Sequence, residues 1–171
     1  KIYSNFVNLQ KILIFALSND YFMKFYKITD FTQHTEDPTS YDGTVVVGGE
    51  ELGVSIILED EGETEKVEQL MNSFFSEIDT LSPKAKECIA NEFLDLYNDN
   101  WRFGDDDEAD PDKPELTKED FMEALSLRSL LFYSADVEVF FDVNDMFLGH
   151  SLIASEFDGE NFNDAQKFGS N

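Results

Sequence analysis

The residues that could carry chemistry in this sequence begin with its two histidines, His34 and His150. His34 lies in a polar stretch and is expected to be exposed. A histidine such as His150, in the segment FLGHSL, could act as a general base near neutral pH. The carboxylates that could assist it nearby in the sequence are Asp142, Asp145 and Glu156. No serine–histidine–carboxylate or metal-ligand spacing surrounds His150, so it is a weak catalytic candidate, and a hydrogen-bonded structural histidine is the alternative.

Cys88 is the only cysteine, and therefore no disulfide can form within the chain. It falls on the apolar face of a predicted helix. A thiol in such a position is expected to act as a small buried hydrophobic group and not as a reactive nucleophile.

A dense acidic run is the most unusual local feature. Six of the eight residues at positions 105–112 are acidic, and Trp101 precedes them. An EF-hand loop needs an oxygen ligand at position 5 and glycine at position 6, but a loop starting at Asp105 has Ala109 and Asp110 there. We expect a solvated loop, an electrostatic patch for a basic partner or a weak cation-responsive segment, with no dedicated metal site and no cofactor. The candidate partner-binding residues are Trp101, Asp105, Asp106, Asp107, Glu108 and Asp110.

The overall charge limits the classes of partner. The chain has 37 acidic and 12 basic residues, a formal net charge of −25. Nucleic acids and anionic membrane surfaces would be repelled, whereas basic proteins or dissolved cations would be attracted. The alternative is that the charge only keeps the protein soluble and monomeric. The motifs GxxxxGK[ST], GxGxxG, HExxH, GxSxG and CxxC are missing, which lowers the expectation of an enzyme.

Hydrophobic patterning predicts two helices between groups of strands. Residues 24–31 and 44–58 are predicted strands, with a hairpin turn at Gly48-Gly49. An apolar stripe predicts a helix over residues 63–80. A second helix is predicted from Ser82, as N-cap before Pro83, to about Trp101.

The remainder of the chain is expected to add one short helix and further strands. Thr117 and Asp120 resemble a capping box for a helix that ends near Leu125. Strands are predicted at 129–134, 137–142, 146–157 and 161–168, with a turn at Asp158-Gly159. Together these elements predict an α+β fold: an N-terminal β-hairpin, a two-helix hairpin with a short third helix, and a C-terminal antiparallel meander packed as a sheet against the helices.

The first part of the chain is predicted to stand apart from the domain. Residues 1–22 form an N-terminal extension whose longest apolar run, 12–17, is far shorter than the about 20 residues of a membrane span. Met23 resembles a native start, and the residues before it share AT-rich codons, so we expect that they derive from upstream sequence. A retained export signal is the alternative. Residues 23–171 are then one α+β domain.

Four stretches resemble a family of bacterial proteins known only as domains of unknown function, number two thousand and four or a close relative. They are NEFLDLYNDNW (91–101), LTKEDFMEAL (116–125), VEVFFDVNDMFLGHSLIAS (137–155) and TVVVGGEELGVSIILED (44–60). The resemblance covers roughly residues 24–168. It implies a cytoplasmic bacterial α+β protein without assigned catalytic residues, and some similar domains are predicted immunity proteins of toxin systems.

Three functions remain open from the sequence. The leading hypothesis is a non-enzymatic, immunity-like module that binds a basic protein partner. The alternative is an enzyme of unfamiliar type that uses His150 with a nearby carboxylate. The third is a cation-responsive protein that uses the acidic run. The oligomeric state is left open.

Overall fold

A seven-stranded sheet organises the computed structural model, which describes residues 24–103, 110 and 112–169. The strands are β1 (Thr32–Gln33), β2 (Ser40–Val47), β3 (Glu50–Ile57), β4 (Ser126–Phe132), β5 (Val137–Asp142), β6 (Ser151–Phe157) and β7 (Phe162–Phe168). Their order in the sheet follows their order in the chain. All neighbours are antiparallel except β3 and β4, which run parallel.

The parallel pair requires a long crossover, and the described helices form it. They are α1 (Thr64–Ser76), α2 (Ile78–Leu96) and α3 (Lys118–Ala124), and a π-helical turn (Tyr97–Trp101) continues α2. Strands, then helices, then antiparallel strands confirm the predicted α+β fold. None of the described helices is both long and apolar enough to cross a membrane.

The hydrophobic core lies between these helices and the sheet. Alternate residues of β5 have no exposed surface: Val137, Val139 and Phe141. Phe74 of α1 packs edge-on against Phe132 and Phe157, with both pairs of ring centroids 5.8 Å apart. Burying one phenylalanine contributes about 1.5–3 kcal/mol, so these rings supply much of what holds the helices on the sheet.

The predicted hairpin at Gly48-Gly49 is confirmed. Both glycines have positive φ angles, 62° and 91°, which a two-residue turn between antiparallel strands requires. The turn pairs Val47 with Glu50 and sets the register of the whole β2–β3 ladder.

The predicted strand over residues 24–31 is wrong, because side chains of α1 take its backbone hydrogen bonds. The N–H of Tyr26 donates to Asn72 Oδ1, and the N–H of Ile28 donates to Glu68 Oε1, both at 2.8 Å. The chain then forms a short 3-10 turn at Ile28–Asp30. This segment therefore lies against the helix and pairs with no strand among the described residues.

The start of the second helix was also predicted wrongly. It begins at Ile78, so Pro83 lies inside it and Ser82 is not its N-cap. The N–H of Leu81 donates to Glu77 O at 2.9 Å, and the side chains of Ile78 and Leu81 are buried. Burial of this extra turn outweighs the one hydrogen bond that proline cannot make.

The short third helix is confirmed with its cap. Thr117 Oγ1 accepts from the N–H of Asp120 at 3.2 Å, and Asp120 Oδ2 accepts from the N–H of Thr117 at 3.4 Å. This reciprocal pair forms the predicted capping box with aspartate in the place of glutamate.

Candidate functional site

Two of the sequence-predicted site residues, Trp101 and His150, meet at one end of the sheet. The Trp101 ring lies 5.2 Å from the Phe147 ring and 6.2 Å from His150, which approaches edge-on. Lys167 Nζ lies 4.3 Å from the centre of the Trp101 ring, a cation–π geometry. We call Trp101, Phe147, His150 and Lys167 the Trp101 corner.

The π-helical turn positions Trp101 and also holds the chain that follows the acidic run. Asn98 Nδ2 donates to Leu116 O at 2.9 Å, and Asn98 Oδ1 accepts from the N–H of Leu116 at 3.0 Å. The hydroxyl of Tyr97 donates to Pro114 O at 3.3 Å. One side chain thus satisfies both backbone groups of Leu116 and fastens the returning chain to the end of α2.

Arg102 holds the base of the acidic run. Its carbonyl oxygen accepts from the N–H of Asp110 at 2.9 Å, its Nε donates to Asn98 O at 3.0 Å, and its guanidinium lies 3.7 Å from Glu115. The acidic run therefore leaves and rejoins the described structure next to Trp101. Four predicted partner-binding residues of that run lie outside the described residues: Asp105, Asp106, Asp107 and Glu108.

His150 lies in a turn and not within a strand as predicted. Residues 144–147 form a 3-10 turn, and Leu148 and Gly149 have φ angles of 52° and 82°. These left-handed residues end the extended backbone, so β6 starts only at Ser151. The N–H of His150 donates to Phe147 O at 3.1 Å, and its ring packs against the backbone of Gly169.

The carboxylates considered with His150 do not hydrogen bond to it within the described part of the chain. Asp142 Oδ1 accepts from the N–H of Asn144 at 3.1 Å instead. The side chains of Asp145 and Glu156 are exposed. Among the described residues, the ring of His150 is held by packing, and no acid–base pair forms there.

The single cysteine borders a groove of about 410 Å³ between α2 and β7. Cys88 Sγ lies 3.5 Å from Asp164 O and is half-buried. Burial, followed by the charges of Asp164 and Glu92, raises the pKa of the Cys88 thiol. A thiol in this position resists ionisation, as expected for a packing residue.

Ion pairs occupy several of the basic side chains. Lys66, Lys84 and Lys118 pair with Glu63, Glu160 and Glu87, and Arg102 pairs with Glu115. In the described structure no group of three metal-ligating side chains converges. The remaining carboxylates keep the surface strongly negative around these pairs.

Sequence reasoning missed Phe147 and Lys167 as members of the corner. Phe147 is fully buried, and its ring also contacts Phe93, Tyr97 and Phe121. Its apolar character indicated a core residue but did not indicate that its ring would contact Trp101. Lys167 gave no signal, because only the pairing of β7 with β6 brings it to a tryptophan far away in the chain.

The fold is that of an α+β protein with a mixed sheet, in which the helices form the crossover between the parallel strands β3 and β4. A family model described as "Uncharacterized protein conserved in bacteria (DUF2262)" matches residues 30–166, so the chain belongs to that family. This confirms the expectation of an uncharacterised bacterial family, although the family number is 2262 and not the one suggested by the sequence motifs. Searches of the curated proteins and of the solved structures find no match.

Proposed function

We propose that this protein is a non-enzymatic, immunity-like module that captures a basic protein in the cytoplasm through the Trp101 corner and the adjoining acidic run. The observation that carries the proposal is the closure of the run by the hydrogen bond from Asp110 N–H to Arg102 O. That bond holds Asp110, near the end of the acidic run, beside Arg102, the residue that follows Trp101 in the chain.

Charge would bring the partner to this site. A net charge of −25 creates a negative potential that speeds the approach of a basic protein and weakens as salt is added. Four of the described cations are already paired with carboxylates of this chain. Of these four, Arg102 lies closest in sequence to the acidic run, and its pairing with Glu115 offsets part of its positive charge.

The Trp101 corner would supply the close contact after the approach. Trp101 is half-buried, and both Phe147 and Lys167 lie against its ring. An aromatic side chain that is already ordered loses little conformational entropy on binding. The acidic run next to it would cover a basic cleft of the partner and block it by occupancy, without any covalent step.

The test is affinity capture from a lysate of the native host at low and at high salt. The main variant replaces Asp105, Asp106, Asp107, Glu108 and Asp110 with their amides. The matched control replaces five exposed carboxylates elsewhere: Glu36, Glu59, Glu77, Asp95 and Glu119. Both variants lose the same charge, so only the position of the lost charge differs.

The proposal expects one basic protein that the wild type and the control variant retain at low salt and that the acidic-run variant loses. The captured protein, once purified, should bind the wild type with a fixed stoichiometry and be inhibited by it. Equal losses in both variants would show that charge alone, and not this site, is responsible. Recovery of no basic protein at low salt would overturn the proposal.

A further inference from the structure

The outer edge of β2 is open over residues 44–47. On the side away from β3, β1 pairs only with Tyr41 and Asp42. Within the described residues no strand pairs with the remainder of β2 on that side. Exposed strand edges of this kind readily accept another chain, because their backbone groups lack a partner.

The register shows which backbone groups face outward. The two-residue turn makes Val47 and Glu50 a pair that exchanges both hydrogen bonds, and such pairs alternate along an antiparallel ladder. Val45 is therefore the next residue bonded to β3. The N–H and C=O groups of Thr44 and Val46 point away from the sheet.

An apolar cavity of about 320 Å³ lies beside this edge. Phe25, Tyr26, Val47 and Phe75 contribute to its lining. Phe25 is 61% exposed and Val46 is 62% exposed, unusual values for large hydrophobic side chains that border a cavity. A second cavity of about 430 Å³ shares Val47, Ile78 and Asp79 with the first and extends it along α2.

The charges around the edge select the chemistry of an occupant. Glu50 and Glu51 are exposed at the end of the hairpin, and Asp79 lies where the two cavities join. Two cations also line the cavities and are fewer than these carboxylates: Lys24 in the first, with Nζ 4.8 Å from the centre of the Tyr26 ring, and Lys86 in the second. A second copy of this chain would place the same carboxylates against one another and add the repulsion of two net charges of −25.

We propose that the edge of β2 over residues 44–47 binds an extended segment of a partner protein as an added strand, with a large apolar side chain in the cavity and Lys or Arg beside it. Backbone hydrogen bonds to Thr44 and Val46 provide the attachment, and the cavity provides the specificity. This inference goes beyond the proposed function, since it concerns a different surface and takes the basic character of the occupant from the carboxylates at the edge itself.

The test uses the full chain and a capped synthetic peptide, Lys-Val-Phe-Val-Lys, with Lys-Val-Ala-Val-Lys as the matched probe. Hydrogen exchange of the Thr44 and Val46 amides is followed by NMR as each peptide is added. The first peptide should slow both amides at saturation and bind more tightly than the second. Exchange of the Val45 amide, which faces β3, should change little.

Substitutions at the edge separate backbone pairing from side-chain contact. Val46→Pro removes an outward N–H that the β2–β3 ladder does not use, a position where an edge strand tolerates proline. It should weaken peptide binding by about tenfold, the loss of one hydrogen bond. Val46→Thr, the control, keeps the N–H and the β-branched shape and should bind nearly as the wild type does. Phe25→Ala, which leaves the strand unchanged, should remove the preference for the phenylalanine peptide.

Three results would overturn the inference. The first is exchange at Thr44 and Val46 that neither peptide alters. The second is protection of these amides in the free monomer, since residues 1–22 of the same chain would then occupy the edge. The third is protection that appears only with a concentration-dependent dimer. Neutralising the acidic run should change peptide binding no more than the matched control variant does, so failure here and failure of the proposed function are distinguishable.

Discussion

The Trp101 corner and the edge of β2 differ in whether their backbone hydrogen-bonding groups have partners. At the corner, side chains take up the backbone groups of the returning chain, as Asn98 does for Leu116, and each aromatic ring has a partner. At the edge of β2, the N–H and C=O groups of Thr44 and Val46 point outward, and Phe25 is mostly exposed.

This difference shows how one sheet can offer two modes of contact. A corner whose hydrogen bonds are already satisfied presents a fixed shape, so a partner there would respond mainly to charge and therefore to salt. An open edge presents unmet hydrogen bonds, so a partner there would respond mainly to backbone complementarity and less to salt than a partner at the corner. Four predictions test whether the two regions differ in this way.

The largest effect on stability is expected from Phe147, whose ring packs against Trp101. Phe147→Ala removes a fully buried side chain and should lower the free energy of unfolding by about 3–5 kcal/mol. Phe25→Ala, the matched change at the edge of β2, should cost no more than about 0.5 kcal/mol because its ring is 61% exposed. Chemical denaturation measures both. Similar losses in the two variants would contradict the contrast between a packed corner and an open edge.

The next effect is expected from the side chain that fastens the returning chain. Asn98→Ala leaves the N–H and C=O of Leu116 without their partner and should cost about 1–3 kcal/mol. Asn100→Ala, in the same turn, removes one exposed hydrogen bond of 3.4 Å to Leu96 O and should change stability by no more than about 0.5 kcal/mol. Urea unfolding measures both losses, and equal losses in the two variants would show that the hydrogen bonds of Asn98 to Leu116 add no particular stability.

A smaller effect is expected from the cation on the tryptophan. Lys167→Ala should lower stability by about 0.5–1 kcal/mol through loss of the cation–π contact. Trp101 is the only tryptophan, so its fluorescence emission reports directly on this contact. Lys27→Ala, which removes a lysine near the start of the described residues, should leave the Trp101 emission unchanged. An unaltered spectrum in Lys167→Ala would show that the lysine does not influence the ring.

The smallest effect is expected from a carboxylate on β2, close to the open edge. Hydrogen bonds from Ser55 and His34 lower the pKa of Asp42. Because its folded-state pKa lies below its unfolded value, Asp42 stabilises the fold above the unfolded value, and this contribution is lost as the pH falls through the lowered pKa. Ser55→Ala should move the pKa of Asp42 back toward its ordinary value. The range of acidic pH over which this stabilising contribution is lost should then become narrower.

An NMR titration of the Asp42 carboxyl carbon measures this change directly. Ser126→Ala, an exposed serine at the start of β4, serves as the control and should leave the titration of Asp42 unaltered. A pKa of Asp42 that does not move in Ser55→Ala would mean that the 2.6 Å hydrogen bond from Ser55 Oγ does not form in solution.

Local signals predicted much of the fold, and they failed where the partner of a segment was distant. The Gly48-Gly49 turn and the Thr117 cap were predicted correctly, since each depends on a few adjacent residues. The strand predicted over residues 24–31 was wrong, because its pattern did not reveal that Asn72 and Glu68 would take its backbone groups. The helix start at Ser82 was wrong for a related reason, since burial of Ile78 and Leu81 outweighed a local cap signal.

The candidate site was predictable only in its parts. Trp101 and Asp110 were singled out from aromatic and acidic character, and the closure at Arg102 brings them together. The position of His150 was expected in a strand, but two left-handed residues before it place it in a turn. Lys167 could not have been found, because its contact with Trp101 depends on which strands pair.

The sequence by itself determined the net charge, the helix stripes, the hairpin turn and the capped third helix, since these depend on composition or on residues within a few positions of one another. Only the tertiary structure decided the parallel pairing of β3 with β4, the meeting of Trp101 with Lys167 and the open edge of β2. Those features depend on which distant segments share one sheet and one core. Such pairings are set by the packing of the whole domain and leave no mark in any short stretch of residues.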